Sequence, residues 1–323
     1  MNLYPLKFEP IFKERLWGGA KLKDVLEKPV QGDTIGESWE ISAVEGAISE
    51  VANGKLKGIS LLELIETYQG KLMGNRVYKK FGNDFPILIK FIDAKLDLSI
   101  QLHPNDELAM KRHNSFGKTE MWYIMHADEG AELIVGFNKD VTKQEYVMHL
   151  ENNSLPELLN YEKVKEGDVF FINTGKIHAI GAGVLLAEIQ QTSDITYRVY
   201  DWERKDKDGN TRELHTALAL DAIDYEKKED FKMPYEKQQN TSNAVVKCPY
   251  FITNYLDIEG HYTTDITDRG SFTIYMCVRG EAILKNEYGS EKIKKGETIL
   301  IPANTERLHI DSLSGVKLLE VYI

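Results

Sequence analysis

The chain has 323 residues, of which 42% are hydrophobic and 10% aromatic, so the composition excludes a disordered protein and the length allows about two globular domains. Lys and Arg number 40 against 51 Asp and Glu, and the formal net charge of −11 disfavours nucleic acid or an anionic membrane as a partner of the whole surface. Two cysteines cannot build a disulfide framework, and no apolar run approaches the roughly 18 residues of a membrane span, so we expect a cytoplasmic protein.

Short apolar or alternating runs bounded by turn residues dominate the chain, and they predict a mainly β barrel or sandwich. The predicted strands cover residues 85–91, 96–102, 121–125, 131–137, 169–173 and 184–191. Capping residues and periodicity predict few helices, over residues 61–73, 106–112, 142–150 and 214–223. The charged stretch over residues 226–243 indicates a linker.

The second half of the chain contains a weak internal repeat. Residues 166–173 (EGDVFFIN) resemble residues 295–302 (KGETILIP), and the strand at Tyr123 resembles the strand at Tyr275. Two related β units predict a duplicated barrel. We therefore expect a catalytic domain over residues 1–235 and a smaller β domain over residues 236–323.

Nitrogen and oxygen donors recur on three predicted strands. Ser99, Gln101 and His103 are two residues apart, so they share one face of a strand. Glu120 begins a later strand, and His178 ends a turn between two others. Taken singly, each is more simply a hydrogen-bonded or solvated residue. Together, two His, one Glu and an adjacent Gln can form a mononuclear metal site with an open position.

A further group of charged residues surrounds these candidates. Lys118 lies two residues before Glu120, Glu188 lies on the strand over residues 184–191, and Asp194 and Arg198 follow it four residues apart. One interpretation of the last two is a surface ion pair worth about 0–1 kcal/mol. The other is an anion-binding or proton-handling group at the mouth of a barrel.

The chain resembles the type I mannose-6-phosphate isomerases. The resembling stretches are residues 99–106 (SIQLHPND), 117–123 (GKTEMWY), 178–198, 15–19 (RLWGG) and 35–42 (IGESWEIS). The resemblance runs from about residue 6 to 202 and continues more weakly to the end. The length matches the short bacterial form of the family.

The resemblance implies a cupin-type (jelly-roll) barrel, one zinc per chain and interconversion of mannose 6-phosphate and fructose 6-phosphate. It assigns the zinc ligands to Gln101, His103, Glu120 and His178. It assigns positions in the substrate pocket to Lys118, Glu188, Asp194 and Arg198.

Aldose–ketose isomerisation moves a proton between C1 and C2 through an enediol(ate) and needs no redox cofactor. A zinc ion can stabilise the developing charge, and a base must reach one face of the sugar. The candidates for the base are Glu188, Asp194 and Lys118. Arg198 can offer paired donors to the phosphate or to the sugar oxygens. Further candidates for binding the phosphate are Lys90, Lys95 and Ser99.

The second β unit is expected to lack a metal. Carried through the repeat, the four ligand positions Gln101, His103, Glu120 and His178 correspond to Thr253, Tyr255, Phe272 and Arg307. Two other functions stay open. An iron-dependent dioxygenase would suit two His and one Glu. A non-catalytic sugar-binding or regulatory cupin would suit the fold alone.

Overall fold

The computed structural model describes residues 2–205, 208–229 and 231–323, and β-strands dominate it. The strands are β1 (Ile11–Gly19), β2 (Ile35–Ile41), β3 (Ala43–Val44), β4 (Ala47–Ile48), β5 (Ile87–Ala94), β6 (Ile100–Leu102), β7 (Glu120–Ala127), β8 (Glu132–Phe137), β9 (Leu159–Lys163), β10 (Val169–Ile172), β11 (His178–Ile180), β12 (Val184–Gln191), β13 (Tyr197–Tyr200), β14 (Asn243–Lys247), β15 (Ile252–Asp265), β16 (Thr273–Asn286), β17 (Gly289–Lys294), β18 (Thr298–Ile301) and β19 (Arg307–Tyr322). The helices are α1 (Lys21–Asp24), α2 (Leu61–Tyr68), α3 (Gly70–Met73), α4 (Asn75–Phe81), α5 (Asp106–His113), α6 (Lys143–Glu151) and α7 (Thr216–Ala219), with short 3-10 turns at Gly54–Leu56, Leu155–Leu158 and Thr267–Arg269. None of the helices in these ranges has the length and apolar character needed to cross a bilayer.

The first barrel is built from two antiparallel sheets. One has the order β1-β2-β5-β12-β7-β10 and the other the order β13-β6-β11-β8-β9. Every residue of β5 and β12 is buried, because one face of the first sheet lines the barrel and the other packs against α2–α4 and the C-terminal sheet. Apolar side chains such as Ile92, Leu133 and Leu186 fill part of the barrel interior. Polar side chains of the same strands line the part of the interior that these apolar side chains leave open.

The C-terminal unit repeats this architecture with fewer and longer strands. Its sheet has the order β14-β15-β19-β16-β17, with β18 paired to β16. β15 and β19 have 14 and 16 residues and pair with each other from end to end, apart from one bulge. The pairing of β5, β12, β7 and β10 in the first barrel matches that of β15, β19, β16 and β18 here. This confirms the predicted second, smaller cupin-like unit.

The strand registers show which residues correspond in the two units. The residues in line across the first barrel are Lys90, Glu188 and Trp122, and those across the second are Asn254, Glu320 and Tyr275. Both central glutamates are buried, and each accepts a hydrogen bond from both of its neighbours. The C-terminal unit therefore retains the arrangement of a central buried carboxylate.

The registers also correct the expected counterparts of the predicted metal ligands. Gln101 pairs with His178, as Asp265 pairs with Arg307, and Glu120 faces Ile172 as Thr273 faces Ile301. The counterparts of Gln101, His103, Glu120 and His178 are thus Asp265, Thr267, Thr273 and Arg307. The expected Thr253 and Tyr255 were wrong because α5 separates the predicted ligand strands of the first unit only. A constant offset cannot cross such an insertion. The expected Phe272 was wrong by one position because Tyr275 corresponds to Trp122 and not to Tyr123.

Several sequence-based element boundaries also differ from the structure. The helix predicted over residues 61–73 divides into α2 and α3 at Gln69, whose φ of 46° breaks the helix. Only residues 100–102 of the predicted strand 96–102 pair in a sheet, and the helix predicted over 214–223 shortens to α7. β1 and β2 were not predicted. Their polar residues face the barrel interior, which obscures a simple apolar pattern.

The N-terminal residues pack with the C-terminal unit as well as with the first barrel. Leu6 and Leu300 exchange backbone hydrogen bonds of 2.9 and 2.8 Å. One apolar cluster contains Leu3, Leu64, Phe91 and Phe272. The division of the chain into residues 1–235 and 236–323 stays a prediction. Because the cluster contains side chains from both parts, we expect each part to stabilise the fold of the other.

Removing the buried carboxylate of the C-terminal unit is expected to destabilise the protein. Glu320 accepts hydrogen bonds from Arg269 at 2.7 Å, Tyr275 at 2.6 Å, and Asn254 and Ser242 at 2.9 Å. Glu320→Ala leaves the half-buried Arg269 without its carboxylate partner and three other donors without their acceptor, so we expect the free energy of unfolding to fall by about 3–5 kcal/mol, measured by urea denaturation.

The pH dependence of the same site provides a control. Burial alone would raise the pKa of Glu320, but Arg269 and the hydrogen bonds from Tyr275 and Asn254 outweigh it and lower the pKa below its ordinary value of 4.5. The carboxylate therefore stabilises the fold above about pH 4.5, and this contribution is lost as the pH falls through the folded-state pKa. A Glu320→Ala protein with unchanged stability and unchanged acid sensitivity would contradict this.

Candidate active site

The four predicted metal ligands converge inside the first barrel from strands of both sheets. Gln101 lies on β6, directly paired with His178, the first residue of β11. His103 follows β6, and Glu120 is the first residue of β7 in the opposite sheet. His103, Glu120 and His178 are each only 1% exposed. Closure of the two sheets therefore brings together residues far apart in sequence.

Ligand atoms of the two imidazoles and the carboxylate lie within 4.8 Å of one another. His103 Nε2 is 3.5 Å from Glu120 Oε2, and His178 Nε2 is 3.5 Å from Glu120 Oε1. Gln101 Nε2 is 3.5 Å from His178 Nε2. These four side chains form a compact group of potential metal donors.

The backbone fixes the orientation of both imidazoles. His103 Nδ1 donates to the carbonyl of Ile195, and His178 Nδ1 donates to that of Lys176, each at 2.8 Å. A proton on Nδ1 leaves the lone pair of Nε2 directed at the cluster, as in most metal-binding histidines. Burial lowers the pKa of His103 well below its ordinary value and lowers that of His178 to about 4. Both rings are therefore neutral near pH 7.

The carboxylate of Glu120 has too few partners for so buried a group. Neither oxygen accepts a hydrogen bond of regular geometry, although Lys118 Nζ is 3.1 Å from Oε2. Burial raises the pKa of Glu120 to about 7 despite the nearby charge of Lys118. Such an unsatisfied carboxylate between two oriented imidazoles fits a bound cation.

Each buried carboxylate has a buried lysine beside it. Lys118 Nζ is also 3.3 Å from His103 Nε2, while Lys90 Nζ pairs with Glu188 at 3.0 Å. Trp122 Nε1 donates to the second oxygen of Glu188 at 2.9 Å. Burial alone would raise the pKa of Glu188, but Lys90 and Lys118 outweigh it and hold the pKa at about 2. Glu188 is therefore a carboxylate at neutral pH.

The cluster adjoins a cavity of about 640 Å³ that opens to solvent. The pocket candidates that line it are Lys90, Ser99, Gln101, Lys118, His178, Glu188, Asp194 and Arg198. Lys95 differs from expectation: it lies exposed in the turn after β5 and outside the cavity lining. β5 ends at Ala94, so the side chain of Lys95 is no longer constrained to face the interior.

Arg198 faces the cavity next to the ligand strand. It lies on β13, paired with Gln101, and its Nε donates to Ser99 Oγ at 3.2 Å while Nη1 donates to the carbonyl of Glu213 at 3.0 Å. Within the described ranges it forms no ion pair with Asp194, which is exposed at the cavity mouth. The surface-pair interpretation of these two residues is therefore not realised.

Comparison with known proteins places this cavity in a family. The profile of the phosphomannose isomerase type I catalytic domain matches residues 5–119, and that of the mannose-6-phosphate isomerase cupin domain matches residues 240–322. A mannose-6-phosphate isomerase of Bacillus subtilis is 38% identical over 94% of each chain. The chain belongs to the type I mannose-6-phosphate isomerase family.

Other members of the family support the assignment across the whole chain. A mannose-6-phosphate isomerase of Streptococcus mutans is 32% identical over 95% of each chain. A crystal structure of the mannose 6-phosphate isomerase from Bacillus subtilis superposes with a TM-score of 0.89 at 34% identity, covering 99% of this chain and 100% of that one. The protein is thus an isomerase of this family, with the family's cupin fold.

One wall of the isomerase cavity was missed by sequence reasoning. Lys13, Arg15, Glu37 and Trp39 of β1 and β2 line it, and Arg15 pairs with Glu37 at 2.8 Å. Glu37 also accepts a hydrogen bond from Trp39 Nε1 at 2.9 Å. The stretches RLWGG and IGESWEIS contain three of these residues, so the family motifs were the signal that could have identified this wall.

Proposed function

We propose that the protein is a zinc-dependent enzyme that interconverts mannose 6-phosphate and fructose 6-phosphate through an enediol(ate). The observation that carries this proposal is the buried Glu120 carboxylate, unsatisfied between two imidazoles whose Nε2 atoms face it. Membership of the mannose-6-phosphate isomerase family supports the substrate and the reaction.

The donor set is suited to zinc. Gln101, His103, Glu120 and His178 would hold the ion, since zinc accepts nitrogen and carboxylate oxygen ligands and has no redox chemistry of its own. When bound, zinc would supply a Lewis acid that stabilises negative charge on the sugar oxygens. The carbonyl groups that fix Nδ1 of both imidazoles favour the tautomer that binding requires.

The remaining residues divide into those that carry positive charge and those that can take a proton. The ammonium group of Lys118 lies beside Glu120. Nearby carboxylates outweigh the effect of burial and raise the pKa of Lys118, so this lysine remains charged. Arg198 and Ser99 offer donors along one edge of the cavity. We propose that this edge binds oxygens of the phosphate or sugar, and that Lys90 contributes less because Glu188 neutralises it.

Asp194 is our preferred base among the three candidates. Glu188 already accepts hydrogen bonds on both oxygens, and Lys118 holds its proton tightly, whereas Asp194 lines the cavity without an ion-pair partner within the described ranges. We expect Asp194→Asn to lower kcat by about two orders of magnitude, measured in the isomerase assay, since general-base catalysis contributes about 10²–10⁴. Glu188→Gln is the matched variant, and a larger loss there would transfer the role to Glu188.

The function is tested by a coupled assay with mannose 6-phosphate before chelation, after chelation and after return of zinc. We expect activity to disappear with the metal and to return at one zinc per chain, with no metal in the C-terminal unit. Metal analysis with an oxygen-uptake assay separates this from an iron dioxygenase. Full activity in metal-free protein would contradict the zinc proposal.

We also propose a cytoplasmic location, with a small sugar phosphate as the partner of the site. Cys248 and Cys277 are both free thiols, which is typical of a reducing compartment. Fractionation of the native cell tests the location.

A further inference from the structure

The segment over residues 114–120, from the end of α5 to the first residue of β7, carries both Lys118 and Glu120, so their positions depend on how this segment is held. Lys118 N donates to the carbonyl of Pro104 at 3.3 Å. Thr119 N donates to the side-chain oxygen of Gln191 at 2.9 Å, and Gln191 N donates back to the Thr119 carbonyl at 3.1 Å. Gln191, at the end of β12, thereby fixes the residue between Lys118 and Glu120.

A single carboxylate connects this segment to two other parts of the chain. Asp106 Oδ1 accepts hydrogen bonds from Gly117 N at 2.8 Å and from Gln191 Nε2 at 3.0 Å. Its Oδ2 accepts one from the Tyr250 hydroxyl at 2.8 Å. Asp106 therefore orients Gln191, the residue that holds Thr119, and also holds the segment directly at Gly117.

The local backbone is consistent with this role. A Cβ at Gly117 would lie 2.7 Å from the Asp106 backbone nitrogen, so the close approach requires glycine. Burial alone would raise the pKa of Asp106, but the hydrogen bonds from Tyr250, Gly117 and Gln191 outweigh it and lower the pKa. Asp106 is thus an ionised acceptor, and charge-assisted hydrogen bonds are stronger than neutral ones.

Tyr250 belongs to the C-terminal unit. It lies in the turn between β14 and β15, and its ring packs against the apolar cluster shared by the two units. Its hydroxyl reaches across to the first residue of α5, three residues after His103. The C-terminal unit therefore contacts the network that holds the segment of the first barrel that carries Lys118 and Glu120.

We propose that Tyr250 and Asp106 are positioning residues for the isomerase reaction, through which the C-terminal unit holds the segment that carries Lys118 and Glu120. The inference rests on the proposed function, which assigns the roles of Lys118 and Glu120. The bonding chain runs from the Tyr250 hydroxyl to Asp106, then to Gly117 and Gln191, and then to Thr119.

The decisive variant is Tyr250→Phe, which removes one hydroxyl and retains the packing of the ring. We expect kcat to fall about fivefold, since small displacements of positioned groups cost rate, with KM, zinc content and melting temperature close to those of the parent. Tyr235→Phe is the matched control. The Tyr235 hydroxyl donates at 2.8 Å to the carbonyl of Gly167, which does not lead to this segment. Equal losses in the two variants would overturn the proposal.

A double-mutant cycle tests whether Tyr250 acts through Asp106. Asp106→Asn replaces one acceptor oxygen and is expected to lower kcat by about tenfold. If the two residues act in series, adding Tyr250→Phe to Asp106→Asn causes little further loss. Fully additive effects on kcat would overturn the series arrangement.

Amide hydrogen exchange provides a readout independent of activity. In Tyr250→Phe we expect faster exchange at Gly117 and Thr119 than in the parent or in Tyr235→Phe, because both amides depend on the same network. Unchanged exchange at these amides overturns the proposal. If Lys118→Met keeps full activity while Tyr250→Phe accelerates exchange, the proposed role of Lys118 fails and the positioning of the segment stands.

Discussion

His178→Ala is expected to remove zinc and isomerase activity together. The imidazole contributes one of two inward-facing Nε2 atoms and lies 3.5 Å from Glu120. Its loss would leave the proposed zinc with an incomplete donor set. We expect the zinc content to fall well below one per chain, measured by atomic absorption, and kcat to fall by at least about two orders of magnitude.

His261→Ala is the control for that experiment. His261 lies exposed on the C-terminal unit beside Asp311, so its replacement should change neither zinc content nor turnover. Circular dichroism of the His178→Ala protein checks that the barrel still folds. Full zinc occupancy in a folded His178→Ala protein would remove His178 from the ligand set.

Arg198→Ala is expected to reduce turnover by about two orders of magnitude or more, as when a donor to a developing oxyanion is removed. The guanidinium lines the cavity beside Gln101 and hydrogen-bonds Ser99 and a carbonyl, with no carboxylate partner within the described ranges. Burial lowers the pKa of Arg198, with neighbouring arginines adding to the effect, yet a guanidinium stays protonated. An anionic substrate would therefore offset the repulsion between Arg198 and the neighbouring arginines.

Zinc content and melting temperature should stay close to those of the parent in Arg198→Ala. Arg198→Lys retains the charge without the planar fork, so we expect it to recover only part of the rate. Arg112→Ala is the matched control, since Arg112 donates to a carbonyl and pairs with Asp221 outside the cavity. Near-normal turnover in a folded, zinc-loaded Arg198→Ala protein would refute the proposed role.

Local sequence spacing placed two of the ligand candidates on one strand face, and the family resemblance assigned all four. Residues two apart on a strand share a face, so Gln101 and His103 could be placed together before any long-range contact was known. The turn signals around the strands also indicated a β-barrel, and the repeat of EGDVFFIN as KGETILIP indicated a second one. These inferences depend on geometry that extends over only a few residues.

Assigning the rest of the cavity wall required pairing between distant strands. β1 and β2 contribute Arg15 and Glu37 to the cavity although they precede β5 by many residues and lack a clear apolar alternation. Lys95, one residue beyond β5, falls outside the same cavity. Whether a polar residue faces the interior is decided by where its strand ends and which strand it pairs with, and composition does not encode this directly.

The sequence by itself determined the donor types, their strand spacing and the duplicated β architecture, because each is a property of consecutive residues. Only the tertiary structure decided that Arg198 contacts Ser99 instead of Asp194, that Glu320 corresponds to Glu188, and that Tyr250 reaches Asp106. The physical reason is that these contacts form only when the sheets close and the two units pack. The sequence predicted the inserted helix α5, but only the strand pairing showed which residues on either side of it correspond in the two units.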